Sequence, residues 1–464
     1  MNILTFIKGK SDKGFEKKAT HFSPTKALVL GFVFLILIGS ILLSLPVSNV
    51  AGISVGFLDA LFTATSAVCV TGLVVVDTNT VWSTFGQVVI ILLIQIGGLG
   101  IMSIATLMSL ILGRRIGLKE RLAIQESLNE FTLTGIVRVF KYILYATFGI
   151  ELIGALALST RLIPIYGIKS GIAKSAFHSI SAFCNAGFDV FGSTGNEFTS
   201  LVQFSSDPVV LITIGLLIIL GGLGFIVWKD IATNRKFSLF ILHTKVVLIV
   251  TASLIILGTI FIYVFEWNNI ATLKNMSIGD KILNAWFHSV SPRTAGFNSL
   301  SIAEMTEPSK FLTVLLMYIG GASGSTAGGI KVTTFSVIII STLAFIKGEN
   351  EVNLLGRKIQ FTVLRKALSI VTISSILVFI TTMVLLINKE GSLMEVLYES
   401  VSAFGTVGLT TGITPGLNSV SKLQIIITMF LGRVGPLSAA LIISFGQVPK
   451  NLPYKFPEGK INVG

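Results

Sequence analysis

The chain has 464 residues, of which 52% are hydrophobic and only 12% are charged, and its mean hydropathy is +0.86. A soluble domain carries roughly 25% charged residues, so this composition excludes a globular enzyme and predicts a polytopic membrane protein. The net charge of +13 would suggest nucleic acid in a soluble chain. No nucleic-acid-binding motif accompanies it, and we expect no nucleic-acid partner.

A lysine-rich arm, Met1–Lys26, precedes the first apolar segment and carries six lysines. Ala27–Val47 then supplies about 20 apolar residues, which suits a membrane span and exceeds the apolar core of a cleaved signal peptide. Seven more predicted spans follow, and an even number of spans places both termini on one side of the membrane. They are Thr84–Gly113, Ile143–Pro164, Pro208–Trp228, Val246–Phe265, Lys310–Ile346, Leu368–Ile387 and Leu423–Phe445.

A short motif recurs between the two spans of each successive pair. It reads TSAVCVTGL, ISAFCNAGF, VSPRTAGF and VSAFGTVGL, and its glycines are separated by 115, 109 and 112 residues. Fourfold repetition in one polypeptide predicts four related units around a pseudo-fourfold axis, in a single ion-transport domain. The repeats cover approximately residues 26–113, 114–230, 231–346 and 347–447, and residues 448–464 form a cytoplasmic tail.

Each motif ends a helix-prone run of about 10 residues, which is too short to cross a bilayer. Such a half-length helix enters and leaves the membrane on one side. We therefore predict an all-α integral membrane protein with eight transmembrane helices and four re-entrant pore loops. The predicted pore helices are Leu58–Ala67, Lys174–Ala182, Ile282–Ser291 and Leu393–Ala403.

The turns after these helices are predicted to form a cation filter. Glycine permits the backbone angles that aim successive carbonyl oxygens inward, and four helix C-termini directed at one centre favour a cation. No ring of four acids accompanies the turns, so backbone carbonyls suit a monovalent cation better than calcium. The predicted filter residues are Val70, Thr71, Gly72, Asn185, Ala186, Gly187, Thr294, Ala295, Gly296, Thr406, Val407 and Gly408.

The distribution of lysine and arginine predicts the orientation. The N-terminal arm, the connections between repeats and the tail hold 24 of these residues, whereas the four pore-side connections hold 9. Cytoplasmic loops carry the cationic excess, so both termini are predicted to be cytoplasmic and the filter to open outward. The longest connection, Arg114–Lys141, is either a solvated connection or a docking surface.

The second span of repeat three contains a glycine-rich run between two apolar halves. Such a run holds a helix poorly, so we expect an irregular intramembrane loop that obstructs the path below the filter. Buried charges at this depth are costly and usually functional; we expect Arg433 to bind loop carbonyls and narrow the pore, while Lys331 fits helix packing or snorkelling. The predicted gate residues are Gly320, Gly321, Gly324, Ser325, Thr326, Gly328, Gly329, Lys331 and Arg433.

The other second spans carry the glycine clusters IGGLGIM, LGGLGFI and LGRVGPL, whose small residues also permit close helix packing. Polar residues at matched pore-helix positions are predicted to brace the filter through hydrogen bonds, with no catalytic or metal-binding role. These are Thr63, His178, His288 and Glu399.

Arg293 lies beside the predicted filter, where a cationic side chain pointing into the pore would repel the ion. We expect it to sit behind the filter and to pair with an acid, with Glu399 as a candidate. Cys69 and Cys184 are predicted to pack behind the filter without a disulfide.

These turns, the loop and the repeat plan resemble the Trk/Ktr/HKT superfamily of potassium transporters, and most of all the Ktr-system membrane subunits. The resemblance covers essentially the whole chain. Repeat three departs from the pattern, because it is one residue shorter before its glycine and carries Pro292 and Arg293.

The resemblance implies K⁺ bound at the filter carbonyls, sodium-dependent uptake and gating by the glycine-rich loop, in a bacterial inner membrane. It also implies a homodimer surrounded by membrane lipid, together with a cytoplasmic KtrA-type regulatory ring. Nucleotides (ATP or ADP) are expected only on that ring, and this chain is expected to hold no cofactor and to have no enzymatic activity.

Two other functions remain open from the sequence. The K⁺-translocating subunit of a K⁺-pumping ATPase shares the repeat plan and would need a separate ATPase chain. An ion-coupled transporter of an organic solute usually shows inverted repeats and a midplane pocket, whereas these four repeats share one sidedness.

Overall fold

The computed structural model describes residues 24–100, 136–349 and 351–435. Predictions for the N-terminal arm, for most of Arg114–Lys141 and for the tail lie outside these residues. The described residues form fourteen α-helices and one two-stranded hairpin, β1 (Asn353–Leu354) and β2 (Arg357–Lys358). The helices are α1 Pro24–Ser44, α2 Phe57–Cys69, α3 Thr84–Leu99, α4 Ile136–Tyr166, α5 Ile168–Phe183, α6 Pro208–Leu223, α7 Phe225–Asn234, α8 Leu242–Glu266, α9 Ile278–Val290, α10 Glu307–Tyr318, α11 Val332–Ile346, α12 Phe361–Ile387, α13 Leu393–Gly405 and α14 Ser419–Val434.

The order of these helices follows one pattern four times. A first helix (α1, α4, α8 or α12) precedes a shorter helix (α2, α5, α9 or α13), and a second apolar helix follows. Capping side chains fix several starts. In α13, the Ser392 hydroxyl accepts from the N–H of Glu395, whose carboxylate accepts from the N–H of Ser392. This capping box begins the helix at one defined residue.

Several helices are suited to a bilayer by length and composition. Within the described residues, three can cross it, namely Lys141–Tyr166, Leu242–Glu266 and Phe361–Ile387, and the bent pair of α6 and α7 would make a fourth. Large apolar side chains on these helices face outward; Ile153 is 68% exposed and Phe379 is 65% exposed. Apolar exposure of this extent along whole helices is what a lipid-facing surface requires.

The short helices form the centre of the molecule, and the long helices surround them. The C-terminal parts of α2 and α13 are buried at every residue, from Phe62 to Cys69 and from Tyr398 to Gly405. Repeat four closes back onto repeat one, because α14 packs against α2 and Lys422 Nζ lies 2.7 Å from the Asp59 carboxylate. The four units therefore form a closed circle.

The helix boundaries correct two of the sequence predictions. The short helices have 13 to 16 residues and exceed the predicted pore helices, most of all at α5, which begins at Ile168 and not at Lys174. The predicted span Pro208–Trp228 is not one straight helix, because the chain bends by 92° between α6 and α7.

In every repeat, a helix of the second apolar segment ends at the glycine cluster. An interruption is predicted only for repeat three, where α10 and α11 are indeed separated by residues 319–331. The helices α3, α6 and α14 also end, each at a glycine with positive φ: Gly100 (+87°), Gly224 (+89°) and Gly435 (+93°). Glycine adopts this conformation without a Cβ penalty, so the second helix of these repeats stops at a matched position.

Candidate functional site

The four predicted filter glycines meet head to tail in a closed ring. A Cβ atom placed on each would collide with the carbonyl oxygen that precedes the glycine of the next repeat. The distances would be 2.4 Å from Gly72 to Ala186, 2.6 Å from Gly187 to Ala295, 2.5 Å from Gly296 to Val407 and 2.2 Å from Gly408 to Thr71. Four turns from distant parts of the chain thus share one centre, and only glycine fits at each contact.

The backbone of each turn follows the same course. Its first residue is left-handed, with φ of +57° at Val70, +60° at Asn185, +71° at Thr294 and +49° at Thr406. This conformation is uncommon outside glycine and costly for a β-branched residue such as Val70. Strain repeated at four matched positions indicates that the turn geometry itself is what the fold maintains.

A serine on each short helix holds its turn. Ser66 and Ser402 accept hydrogen bonds from the N–H groups of Gly72 (3.0 Å) and Gly408 (3.1 Å). In the other repeats the hydroxyl donates to the carbonyl just beyond the glycine, from Ser181 to Phe188 at 2.8 Å and from Ser291 to Phe297. The sequence analysis did not single out these serines, although serine is the second letter of all four motifs.

One face of the ring borders a cavity of about 110 Å³, called the outer cavity after the predicted orientation. All four filter glycines line it, together with Asp77 and Asp189 from the segments that follow the first two turns. Burial of its carboxyl group raises the pKa of Asp189 to about 6, and the neighbouring Asp77 adds to this effect. The sequence analysis missed both acids, since they do not occupy matched positions in the repeats.

The opposite side of the turns contacts the glycine-rich loop, residues 319–331. The Thr326 hydroxyl donates to the Asn185 side-chain oxygen at 3.0 Å. A Cβ atom on Gly328 would lie 2.1 Å from the Thr406 hydroxyl, and one on Gly320 would lie 3.4 Å from the Thr294 methyl group. The loop therefore touches the first residue of three of the four turns.

The helix break between α6 and α7 anchors this loop from the side. Ala322 N–H donates to the Gly222 carbonyl at 2.9 Å, and Phe225 N–H donates to the Gly324 carbonyl at 3.0 Å. The loop closes on itself where Gly320 N–H donates to the Ile330 carbonyl at 2.8 Å. Several of its backbone polar groups thus find partners without a helix, as a segment in a membrane interior requires.

Arg433 ties the loop to repeat one. Its guanidinium donates to the Thr326 carbonyl on the loop and to the Gly97 carbonyl (2.5 Å) at the end of α3. Lys331 donates to the loop carbonyls of Ala327 (2.5 Å) and Gly328 (3.3 Å). The structure thus brings all the predicted gate residues together. Lys331 binds the loop, whereas the sequence analysis favours helix packing or snorkelling for this residue.

The glycine clusters of repeats one, two and four serve close packing. Placed on Gly97, Gly221 or Gly432, a Cβ atom would lie 2.0 to 2.1 Å from the carbonyl oxygen of Val68, Phe183 or Phe404 respectively. Each second helix therefore presses directly on the end of the short helix in its own repeat. This contact supports the turn from behind.

Three of the four predicted bracing residues make the expected hydrogen bonds. His178 Nε2 accepts from Val190 N–H (3.3 Å), and the Glu399 carboxylate accepts from the hydroxyls of Thr410 and Thr414 (3.0 Å). These bonds join a short helix to the segment beyond its turn, while His288 Nε2 pairs with the Thr313 hydroxyl on α10 at 3.0 Å. Thr63 is different, since its hydroxyl donates to the backbone carbonyl of Asp59 in its own helix (2.9 Å).

Arg293 lies behind the ring, as predicted, and is only 6% exposed. The predicted pairing with Glu399 is wrong. Its guanidinium donates instead to the carbonyl (3.2 Å) and the hydroxyl (3.3 Å) of Thr251 on α8. Cys69 and Cys184 are buried free thiols, as expected, and Cys184 packs against Gly98.

Comparison with known proteins gives one consistent family. The family model TrkH, described as a cation transport protein, matches residues 17–449. The chain is 44% identical to the Ktr system potassium uptake protein B of Bacillus subtilis, over 96% of this chain and 98% of that protein. It is 41% identical to the potassium/sodium uptake protein NtpJ of Enterococcus hirae, with the same coverage.

A solved structure shares the fold. The potassium transporter TrkH from Vibrio parahaemolyticus superposes with a TM-score of 0.71, at 16% sequence identity, over 92% of this chain and 86% of that one. This match shows that the chain has a TrkH-like fold.

We predict that Gly408→Ala destabilises the protein more than Gly195→Ala. Both glycines have positive φ, +92° and +84°, but no atom lies within 4 Å of a Cβ placed on Gly195. Both variants meet a left-handed penalty of about 1–2 kcal/mol, and Gly408→Ala adds an overpacking cost of roughly 1–3 kcal/mol.

The test is the apparent Tm of the purified chain in detergent, followed by loss of the monodisperse peak on heating. Gly408→Ala is expected to melt several degrees below Gly195→Ala. Equal melting temperatures would show that the ring has room for a Cβ atom and would contradict the geometry described.

Proposed function

Because the chain belongs to the TrkH family of cation transport proteins, we propose that it is the potassium-translocating membrane subunit of a Ktr-type uptake system. A member of this family is a transport protein and not an enzyme. The observation that carries the proposal is the closed ring of four glycine turns between an outer cavity and a loop. The potassium uptake named for the relatives from Bacillus and Enterococcus supports the choice of ion.

The proposed ion filter consists of the four turns, with K⁺ held by backbone carbonyl oxygens in place of its water shell. The carbonyls of Thr71, Ala186, Ala295 and Val407 lie in the glycine contacts around the shared centre. Asp77 and Asp189 on the outer side raise the local concentration of cations. Entry would be driven by the membrane potential, worth about 2.3 kcal/mol per charge per 100 mV.

The proposed topology has four repeats, approximately 26–113, 114–230, 231–346 and 347–447, in the bacterial inner membrane. Each contributes two spans and a re-entrant pore loop, which makes eight spans in all. The cationic excess on the termini and inter-repeat connections places both termini, with the 448–464 tail, in the cytoplasm.

The glycine-rich loop is the proposed gate, and Arg433 is its proposed latch. The loop lies against three filter turns on the side away from the outer cavity, where a permeating ion would have to pass. Arg433 joins the loop to the end of α3 and places a positive charge beside the same path. Both effects oppose conduction until the loop moves.

Opening is proposed to come from a cytoplasmic KtrA-type ring that binds ATP or ADP, acting on a homodimer of this chain. The relatives named as Ktr system proteins support a partner system. The chain itself would carry K⁺ as cargo and no cofactor, with lipid around its apolar helices. The Enterococcus relative, named for potassium and sodium, favours sodium-dependent uptake.

The proposed function is tested by ⁸⁶Rb⁺ uptake into proteoliposomes that hold the chain and a K⁺ gradient. Uptake that external K⁺ blocks and Na⁺ does not is the expected result, with Gly72→Ser losing this discrimination. A chain silent by itself is then measured with an added regulatory ring, and silence in both preparations would overturn the proposal.

We predict that Arg433→Ala raises ⁸⁶Rb⁺ flux in the same assay, because it frees the loop from α3 and removes a positive charge from the path. Coupling of a latch to a gate typically amounts to about 5-fold or more. Arg161→Ala is the control, since Arg161 is half-exposed and pairs with Asp207 at 3.4 Å far along α4. Equal flux in Arg433→Ala and Arg161→Ala would remove Arg433 from the gate.

A further inference from the structure

Three glutamates are buried among the described residues, and their hydrogen bonding differs sharply. The Glu266 carboxylate accepts from the N–H (2.9 Å) and hydroxyl (2.7 Å) of Thr306, from Asn269 (2.7 Å) and from Thr272 (2.6 Å). Glu399 accepts from three groups of the segment beyond its filter turn. Both carboxylates are saturated with donors and serve as structural braces.

Glu151 has no comparable set of donors. It lies within the membrane-suited part of α4 and is only 5% exposed. Among the described residues, its carboxylate oxygens accept from a single group, Gln95 Nε2, at 3.0 and 3.3 Å. Within the described part of the chain, no lysine or arginine forms an ion pair with it. An ionised carboxylate in this position is costly, and such groups inside a membrane are usually functional.

The face of α4 that carries Glu151 holds a second unusual polar group. Thr147 precedes Glu151 by four residues and therefore shares its side of the helix, while Phe148 and Leu152 face outward at 49% and 61% exposure. Thr147 is fully buried, and its hydroxyl has no hydrogen-bond partner among the residues that the structure describes. An orphan hydroxyl one turn from an under-satisfied carboxylate indicates a site with room for one more bond.

Gln95 connects this site to the proposed filter and gate. Its side-chain oxygen lies 3.7 Å from the thiol of Cys184, the residue before the Asn185 turn. Gly97 lies two positions after Gln95, and its carbonyl accepts a hydrogen bond from the Arg433 guanidinium. The hydroxyl of Ser179 on α5 also donates to the Glu151 carbonyl at 2.6 Å. Glu151 therefore contacts both α3 and the short helix of repeat two.

We propose that Glu151 is a proton-binding site within the membrane, with Gln95 and Thr147 as its partners, and that its protonation loosens the Arg433 latch. The proposal rests on the proposed function of the loop as a gate. The ionised Glu151 carboxylate only accepts hydrogen bonds, and it therefore accepts from the Gln95 amide group as observed. Taking one proton from water makes the carboxyl group a donor as well, which changes the orientation of the Gln95 side chain. Gln95 lies two residues before Gly97, whose carbonyl accepts the hydrogen bond from Arg433.

Few other titratable groups face this site. On α5, His178 binds Val190 N–H, and Lys174 donates to the Val190 carbonyl, so both are directed at the outer segment. Neither α3 nor α6 contains a charged residue. The Cys184 thiol is linked to Glu151 through Gln95, and the Arg433 guanidinium, from α14, is bound to the carbonyls of Thr326 and Gly97. Asp189 titrates separately, in the outer cavity.

The first test is ⁸⁶Rb⁺ uptake by the full chain in proteoliposomes across roughly pH 5 to 9, the range in which buried carboxyl groups titrate. All variants carry Asp189→Asn, which removes the outer titrating group. Uptake with Glu151 intact is expected to rise by about 5-fold toward acid pH, the lower end for coupling between two sites. Glu151→Gln, an uncharged mimic of the protonated form, is expected to give high uptake at every pH.

Two matched variants separate titration from structural damage. Glu266→Gln removes a buried carboxylate with a full set of donors and is expected to keep the wild-type pH profile. Thr147→Val removes the hydroxyl that is free to accept a hydrogen bond from the protonated carboxyl group, so the midpoint of the profile is expected to move to lower pH. A Glu151→Gln chain that keeps the full pH dependence of uptake would overturn the proposal. A Glu266→Gln chain that loses this pH dependence as Glu151→Gln does would overturn it too.

The second test reads the site without transport. Infrared difference spectra of the chain in lipid, between acid and alkaline pH, are expected to contain a carboxyl C=O band that Glu151→Gln abolishes. This band decides the proton site even if the chain carries no flux, a result that would count against the proposed function alone. A band that is unchanged in Glu151→Gln, or that responds to Na⁺ at fixed pH and not to pH, would overturn a proton site.

Discussion

The contact between each filter glycine and the carbonyl oxygen of the next repeat is the constraint on which the rest of the structure depends. Four such contacts close into a ring with no space for a Cβ atom. Backbones in such close contact hold their positions only if rigid elements support them. The buried short helices, the serine hydroxyls that hold each turn and the glycines of the second helices all provide that support.

The repeats agree at the ring and differ around it. Each first turn residue is left-handed and each glycine meets its neighbour, although the residue types in the turns vary. The polar braces are different in every repeat, with His178, His288 and Glu399 reaching different partners. The geometry of the ring must be common to all four repeats, because each repeat supplies one of its four glycine contacts.

The largest departures from fourfold symmetry coincide with the proposed control of conduction. Repeat three inserts a loop between α10 and α11, repeat four supplies Arg433, and repeat two supplies Asn185 and the helix break that anchor the loop. Repeat one contributes the Gly97 carbonyl, which accepts a hydrogen bond from Arg433. The glycine-rich loop is thus held by contacts with repeats two and four and, through Arg433, with repeat one, so a change in any repeat is able to affect the proposed gate.

The sequence predicted the parts of this arrangement that repeat along the chain. The four turns were recognisable because glycine recurs at near-constant spacing, and the loop because five glycines and small polar residues interrupt one apolar segment. The serines were within the same motifs, but serine is also common in packed membrane helices. The stops at Gly100, Gly224 and Gly435 were missed for a similar reason, since glycine within an apolar run also serves close packing.

Contacts between residues far apart in the chain were beyond the reach of a single sequence. Arg293 binds Thr251, and Glu151 binds Gln95, across 42 and 56 residues. Charge complementarity suggested an acid for Arg293, yet a carbonyl and a hydroxyl satisfy it equally well as acceptors. Asp77 and Asp189 gave no periodic signal, and only the fold brings them to the same cavity.

The central claim is that the glycine ring binds a dehydrated monovalent cation, and anomalous scattering from crystals grown in Rb⁺ or Tl⁺ tests it most directly. The account predicts a peak on the axis, among the carbonyl oxygens of Thr71, Ala186, Ala295 and Val407, which K⁺ displaces and Na⁺ does not. A ring without a peak, or a peak confined to the outer cavity beside Asp77 and Asp189, would contradict it.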